Sequence, residues 1–303
     1  PEGEVTIRGQ WSGVNFKDAL AITGAGRILK RLPMTPGIDV AGQVRDSTDP
    51  ACRPGDAVLV TGCGLGESHD GGFAGLTRVP ADWVVPMPEG LDAERAMLIG
   101  TAGFTAGMAL LRMEQNGQQP GLGPILINGA TGGVGSFAIR LFSRAGYRVV
   151  AATGKPDQAG YLRRIGADDV LDTGSIDHGR RPLEKALWGG AVDSLGGEPL
   201  AWLTRTVQPQ GSIAAIGLAA GIGLQTTVMP FILRGVSLLG INSVTCARSF
   251  RLAVWQRLAQ LLQDADFEAI RSPDIGLADL PGYCRRMLDR ETTGRTLVRL
   301  PQS

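Results

Sequence analysis

A chain of 303 residues is long enough for about two domains, each burying a core of its own, which excludes a peptide or a disulfide-held miniprotein. Apolar residues make up 43% and charged residues 19%, too apolar a mixture for long disordered tails. Lysine plus arginine (30) nearly cancels aspartate plus glutamate (29) without any block of like charge, so nucleic acid and acidic membrane surfaces are not expected partners and a small molecule is. Glycine, at 44 residues, is in excess and points to many turns and close backbone approaches.

The opening Pro1-Glu2-Gly3-Glu4 carries no Met and runs straight into a strand-like Val5-Thr6-Ile7-Arg8, so a short N-terminal piece is expected to be missing; no secretory signal pattern is visible. Up to about residue 100, short strand-like runs alternate with glycine and proline, as in Val40–Val44 and in Ala57–Val60 after Pro54-Gly55-Asp56. Ala93–Met97 and Thr105–Glu114 carry helical spacing. From Pro124 the pattern alternates: strand Ile125–Asn128, helix Val134–Ala145, strand Arg148–Ala152, helix Gln158–Ile165, strand Val170-Leu171. Further strands are expected at Ala191–Asp193, Ser212–Ile216, Val236–Gly240 and Arg295–Arg299, with a helix at Phe250–Gln263. The uncharged run Gly211–Leu233 is long enough for a bilayer, but its glycines, Gln225 and Pro230 read as strand, loop and helix. The predicted fold class is therefore α/β: a β-rich first part, a doubly wound parallel sheet, and a tail that rejoins the first part. Cys52, Cys63, Cys246 and Cys284 form no C-x-x-C pair and read as reduced thiols in a cytoplasmic protein.

The sharpest motif is Asn128-Gly129-Ala130-Thr131-Gly132-Gly133-Val134-Gly135, directly after an apolar strand and directly before an amphipathic helix. A glycine turn there lets the backbone approach a pyrophosphate, and the following helix directs free N–H groups at it. At the end of the next strand an NAD site would place a carboxylate for the ribose 2′-hydroxyl. This chain has Thr153-Gly154-Lys155, where a hydroxyl, a free backbone N–H and an ammonium suit a 2′-phosphate, so NADPH is the expected cofactor. Arg180 and Arg181 either add charge to that pocket or form a solvated loop pair.

Several strings resemble the medium-chain dehydrogenase/reductase superfamily: Asn15-Phe16-Lys17-Asp18, Pro36–Gly42, Pro54-Gly55-Asp56, Gly100–Ala106 and the glycine loop. Within it, Asp18–Gly24, Arg181–Lys185 and Thr226–Arg234 are similar to the NADPH-dependent acrylyl-CoA reductase subfamily of the zinc-independent, quinone oxidoreductase-like branch. The resemblance implies a GroES-like catalytic domain (1–103 and the return 245–303) interrupted by a Rossmann domain (104–244), with the active site in the cleft between them and a homodimer as the assembly. Where zinc alcohol dehydrogenases carry His-Glu this chain has Ile38-Asp39, and with only His69 and His178 as histidines no metal is expected.

For catalysis the resemblance points to Asn15, Phe16, Lys17 and Asp18. The subfamily has Tyr where Phe16 stands, and Phe can pack on a nicotinamide but donates no proton. Lys17-Asp18 is open to a structural reading as an ion pair. His69, in the glycine-rich loop Thr61–Gly72, is a candidate proton donor or a hydrogen-bonded surface residue. For the cofactor the resemblance assigns Phe16, Thr105, Thr131, Gly132, Gly133, Val134, Thr153, Gly154, Lys155, Arg181, Gly217, Leu218, Ile241, Asn242, Arg290 and Arg295. Arg27, Lys30 and Arg31, in a loop after Ala25-Gly26, are candidates for the phosphates of an acyl-CoA. The expected activity is reduction of a short 2-enoyl-CoA, acrylyl-CoA above all. A quinone or alkenal reductase, with an enone as substrate, and a non-catalytic NADPH-binding module are the alternatives.

Overall fold

The computed structural model describes residues 3–301; the Pro1-Glu2 half of the opening tetrapeptide lies outside them. Two compact units emerge. One contains the chain up to Phe104, Ser243–Gln260 and Arg271 onward, and the other contains Thr105–Asn242 and Leu261–Ile270.

The first unit begins with strand β1 (Val5–Gly13), in which buried Val5 and Ile7 alternate with half-buried Thr6 and exposed Arg8, the period of a sheet with one covered face. Helix α1 (Phe16–Thr23) follows and stops at Gly24, whose φ of 73° is the left-handed C-cap that favours glycine. Strands β2 (Asp39–Ser47), β3 (Ala57–Thr61), β4 (Leu76–Val79) and β5 (Val85–Pro86) continue the sheet, β1 pairing antiparallel with both β2 and β4. Helix α2 (Ala93–Gln115) is broken at Gly100, with φ 48° and ψ −158°. Its most apolar 18-residue stretch is long and apolar enough for a bilayer span, but 83% of that stretch is buried inside the protein, as in a core helix.

The second unit alternates strands and helices: β6 (Ile125–Ile127), α3 (Gly133–Arg144), β7 (Val149–Thr153), α4 (Ala159–Arg164), β8 (Asp169–Asp172), β9 (Gly190–Asp193), α5 (Gly197–Thr206), β10 (Ser212–Ala215), α6 (Met229–Arg234) and β11 (Ser237–Gly240). The six strands are parallel and lie in the order β8-β7-β6-β9-β10-β11, so the winding reverses between β6 and β9. Every residue of β6, β7 and β9 is buried, which is why these strands read as continuous apolar runs. The uncharged run 211–233 resolves into β10, a loop and α6, as its glycines predicted.

The chain then returns through α7 (Arg248–Leu261) and leaves again. Helix α8 (Asp264–Ile270) belongs to the second unit, because its buried Asp266 accepts two hydrogen bonds from Arg144 of α3, at 2.9 and 3.2 Å. The expected return of 245–303 as one piece of the catalytic domain is therefore corrected: this ion pair detaches Leu261–Ile270 from it. Strand β12 (Ile275–Gly276), helix α9 (Leu280–Leu288) and β13 (Leu297–Arg299) complete the first unit, whose sheet runs β12-β13-β1-β2-β3-β5. Arg251 of α7, 2% exposed, ties the return to β3 by donating to Thr61 O at 2.8 Å, and braces the returning segment itself by donating to Ser243 O at 2.9 Å.

Candidate active site

At the carboxyl end of β6 the backbone turns through Gly129, with φ +59°. A Cβ on Gly135 would lie 2.4 Å from Gly129 O, so the turn closes only with glycine at 135. Helix α3 starts after Gly132 with no side chain capping it, leaving its first N–H groups and positive dipole end to an anion. Its first turn holds no acidic residue. Beside the turn, Asn128 Nδ2 donates to Asp193 Oδ1 and Asn128 Oδ1 accepts from Ser194 N–H at 2.7 Å, bracing β6 against β9 where the winding reverses. Burial holds the Asp193 carboxyl above the usual range.

Beyond the adjoining strands lie the other expected cofactor segments: Thr153-Gly154-Lys155 after β7, Gly217-Leu218 after β10, and Ile241-Asn242 after β11. Together with Thr131, Gly132, Gly133 and Val134 they line up along the carboxyl ends of one parallel sheet, the place where open α/β sheets bind ligands. Thr153 is buried, and its Oγ1 accepts from the Lys155 N–H at 3.0 Å. That backbone N–H is therefore committed within the turn and is not one that a 2′-phosphate would take. Burial lowers the Lys155 pKa, with Asp157 opposing. The residues present fit a phosphorylated dinucleotide: a glycine cradle that a Cβ would fill, an uncapped helix start, and no carboxylate at residues 153–155.

Arg181 is placed differently. It lines a cavity of about 460 Å³ with Arg180, Arg205 and residues 224–227, and Thr153, Gly154 and Lys155 are not among the lining groups. Thr105 is buried at the start of the second unit, whereas Phe16, Arg290 and Arg295 belong to the first.

In the first unit, Asn15 precedes α1 and is held from three sides. Its backbone N–H donates to Asp18 Oδ2 at 2.9 Å, and its Nδ2 donates to Asp39 Oδ2 at 2.8 Å and to Asp18 Oδ2 at 3.1 Å. Its Oδ1 accepts from Arg295 Nη1 at 2.9 Å. Arg295 is 2% exposed and also donates to Asp39 Oδ2 at 2.9 Å and to the carbonyls of Val14, Met97 and Leu98. With its donors spent inside the protein, Arg295 is a positioning residue and not the cofactor contact expected. A Cβ on Gly100 would fall 2.1 Å from Arg295 Nη2, which explains glycine at the break in α2. Asp18 is buried, and burial together with the Asp39 charge pushes its pKa up to about 7, against the three N–H donors that face it. Cys284 in α9 is pushed up to about 12, chiefly by burial, so it is an inert thiol.

The Lys17-Asp18 ion pair does not form. Lys17 Nζ reaches Glu67 Oε1 at 2.7 Å, and Asp18 accepts only N–H groups of Asn15 and Ile38. Phe16 is 47% exposed, an aromatic face presented from a fixed helix start. His69 is half-buried, its Nδ1 2.9 Å from Asp70 O and its ring edge-on to Trp83. Of the three basic candidates for CoA, Arg31 pairs with Asp70 at 2.8 Å, so its charge is partly answered within the protein; Arg27 and Lys30, the other two, are both exposed. Asp39, Glu67 and Thr101, whose N–H and Oγ1 donate to the Asp39 carboxylate at 2.9 and 2.6 Å, escaped prediction as site residues. A carboxylate inside the apolar run Ile38-Asp39-Val40-Ala41 was the available signal, since buried charges are paired.

A nucleotide-binding parallel sheet set into the sequence of a β-rich unit defines the class, a dinucleotide-dependent oxidoreductase. Residues 1–89 match the alcohol dehydrogenase GroES-like domain and residues 133–263 the zinc-binding dehydrogenase family. Among the described residues no three His, Cys, Asp or Glu side chains group as metal ligands. The chain is 46% identical to the acrylyl-CoA reductase AcuI of Ruegeria pomeroyi, over 98% of its own length and 90% of the relative's. The crystal structure of E. coli K-12 YhdH with bound NADPH superposes with a TM-score of 0.97 at 46% identity, covering 99% of this chain and 93% of that one. Bacillus subtilis yhfP with NAD bound gives 0.96 at 43%, covering 99% and 92%. The chain belongs to the medium-chain dehydrogenase/reductase superfamily, in the group that holds AcuI and YhfP.

Proposed function

We propose that this chain reduces the carbon–carbon double bond of a short 2-enoyl-CoA with NADPH, converting acrylyl-CoA to propionyl-CoA. The observation that carries the reading is the near full-length similarity to the Ruegeria AcuI. The glycine cradle after β6 and the Thr153-Gly154-Lys155 turn support NADPH as the cofactor. When bound, NADPH supplies a hydride, which the β-carbon of the enoyl thioester accepts while negative charge grows on the thioester oxygen. That charge needs a donor. Asn15 has both amide protons committed to Asp39 and Asp18, so Asn15 and Asp18 fix the start of α1 and do not touch substrate. Lys17 is the donor in this reading: its ammonium carries three N–H groups, and Glu67 takes one. Phe16 packs on the cofactor, and His69 is the candidate that returns a proton to the α-carbon. The chemistry proceeds without a metal, so activity survives a chelator.

The test is NADPH consumption with acrylyl-CoA, crotonyl-CoA, an alkenal and a quinone side by side. Acrylyl-CoA is expected to give the highest kcat/KM, and Lys17→Met to lower it while leaving NADPH affinity intact. Turnover confined to quinone or alkenal would replace the thioester reading. Absence of turnover with all four would leave a non-catalytic binding module. Phe16→Tyr keeps or raises activity; a collapse would mean a pocket rebuilt around another substrate. The NAD bound to Bacillus subtilis yhfP favours running NADH in parallel. The assembly in this reading is a cytoplasmic homodimer. Support comes from β11, which among the described residues is an edge strand paired only with β10, and from four cysteines that are all free.

A further inference from the structure

The connection from β8 to β9 runs beside the last turn of α5. Glu184 N–H donates to Arg205 O at 3.0 Å, Leu187 N–H donates to Thr206 O at 2.7 Å, and Trp188 bridges Val207 just before β9 begins. Arg205 thus sits roughly 12 Å along the helix axis from the turn at Gly196-Gly197, where α5 leaves the carboxyl end of β9. The dinucleotide segments occupy that carboxyl end, and the arginine cavity lies toward the other. Arg180, Arg181 and Arg205 converge on this cavity of about 460 Å³, with Thr227, Pro182 and Leu224 also lining it.

Among the described residues no carboxylate lies within ion-pair distance of any of these three guanidinium groups. The nearby Glu184 carboxylate accepts the backbone N–H of Arg181 at 2.8 Å instead. Arg205 donates only to His178 O, at 3.2 Å, and its buried Nε has no partner. Arg234 adds a fourth positive charge behind the cavity, with its donors on the carbonyls of Arg205, Val207 and Glu184. Thr227 Oγ1 accepts from the Met229 N–H, which leaves the hydroxyl proton to donate into the cavity. Three guanidinium groups gathered with no ion-pair partner leave their charge to attract an anion. The guanidinium fork matches a phosphate dianion bidentately. Pro182 and Leu224 provide an apolar wall for a base, and the volume suits a mononucleotide.

We propose that Arg180, Arg181 and Arg205 form a second anion site, for the ribose phosphomonoester of an adenine nucleotide, separate from the dinucleotide crevice. Two molecules carry that chemistry, a CoA thioester with its 3′-phosphate and a phosphorylated nicotinamide dinucleotide with its 2′-phosphate. The proposal does not depend on which enoyl substrate is reduced.

The test is calorimetric titration of the full chain, its crevice saturated with NADH, which carries no 2′-phosphate to fill the second site, with adenosine 3′,5′-bisphosphate, adenosine 2′,5′-bisphosphate and inorganic phosphate in turn. One bisphosphate is expected to bind one per chain, about tenfold or more tighter than phosphate. The 3′,5′ isomer in the lead names CoA as the source, and the 2′,5′ isomer names the dinucleotide. Arg180→Gln, on an exposed loop, and Arg205→Gln should each weaken it about tenfold, with Arg205→Lys intermediate. NADPH affinity of Arg205→Gln should stay within about twofold. Failure of both bisphosphates to bind, binding indifferent to the substitutions, or an equal fall in NADPH affinity overturns the second site. All of these readouts are binding measurements, so the second site stands or falls whether or not the enzyme turns over an enoyl thioester.

Discussion

The two candidate sites are built from different materials. Around the glycine loop of the second unit, function rests on backbone: a turn that admits no Cβ at residue 135 and an uncapped helix start. In the first unit it rests on buried side-chain charge, with Arg295, Asp39, Asn15 and Asp18 linked around the start of α1. A backbone site depends on local sequence alone and tolerates little change at its glycines. A charge network depends on residues as far apart as 15 and 295, and its members are coupled, so removing one exposes the others to an uncompensated burial cost.

That contrast can be broken most forcefully at Arg295. Arg295→Met should destabilise the protein by about 3–5 kcal/mol, because it strands the Asp39 charge, and adding Asp39→Asn should restore part of the loss. Chemical denaturation measures both, and strict additivity would dissolve the network. Next, Gly135→Ala should weaken NADPH about a hundredfold, near 2.7 kcal/mol, since the new methyl meets Gly129 O and Ala130 Cα. An unchanged affinity by fluorescence titration would show that the backbone turn is not the cradle.

Lys155→Asp should cost NADPH about tenfold, near 1.4 kcal/mol, and turn the preference toward NADH. Parallel titrations with both nucleotides decide it, and unaltered NADPH binding would remove Lys155 from the site.

A pH series tests the coupling of Asp18. Its folded pKa, about 7, lies above its ordinary value of 3.8, so the folded state holds a proton that the unfolded state has released between those limits. Stability contributed by the neutral carboxyl is present below about pH 4 and is lost as pH rises through 7, at most about 1.4 kcal/mol per pH unit. Asp18→Asn should flatten that slope in denaturation series across the window. A slope that persists would assign it to other groups.

Much of the second unit was readable in advance. Apolar runs of strand length, separated by helical periodicity, placed β6, α3, β7 and β11 within a residue or two, and Gly129–Gly135 announced the nucleotide turn. Helices α5 and α9 went unread, α5 because Gly197 and Pro199 in its first turn disguise it and α9 because Pro281 and Gly282 do the same. Helix α8 escaped because seven residues carry too little periodicity to register.

The sequence by itself determined the strand–turn–helix proposed as the pyrophosphate cradle, because hydrogen bonding and glycine sterics act between neighbours in the chain. It also determined the absence of a carboxylate at residues 153–155. Only the tertiary structure decided that Lys17 answers to Glu67 and not to Asp18. It also decided that Arg295 spends its donors inside the protein, that Leu261–Ile270 joins the second unit through Asp266, and that Arg181 meets Arg180 and Arg205 around a cavity of their own. Each of these outcomes is a choice of partner for a long charged side chain. Burial and distance settle that choice, and neither exists until strands and helices remote in sequence have packed.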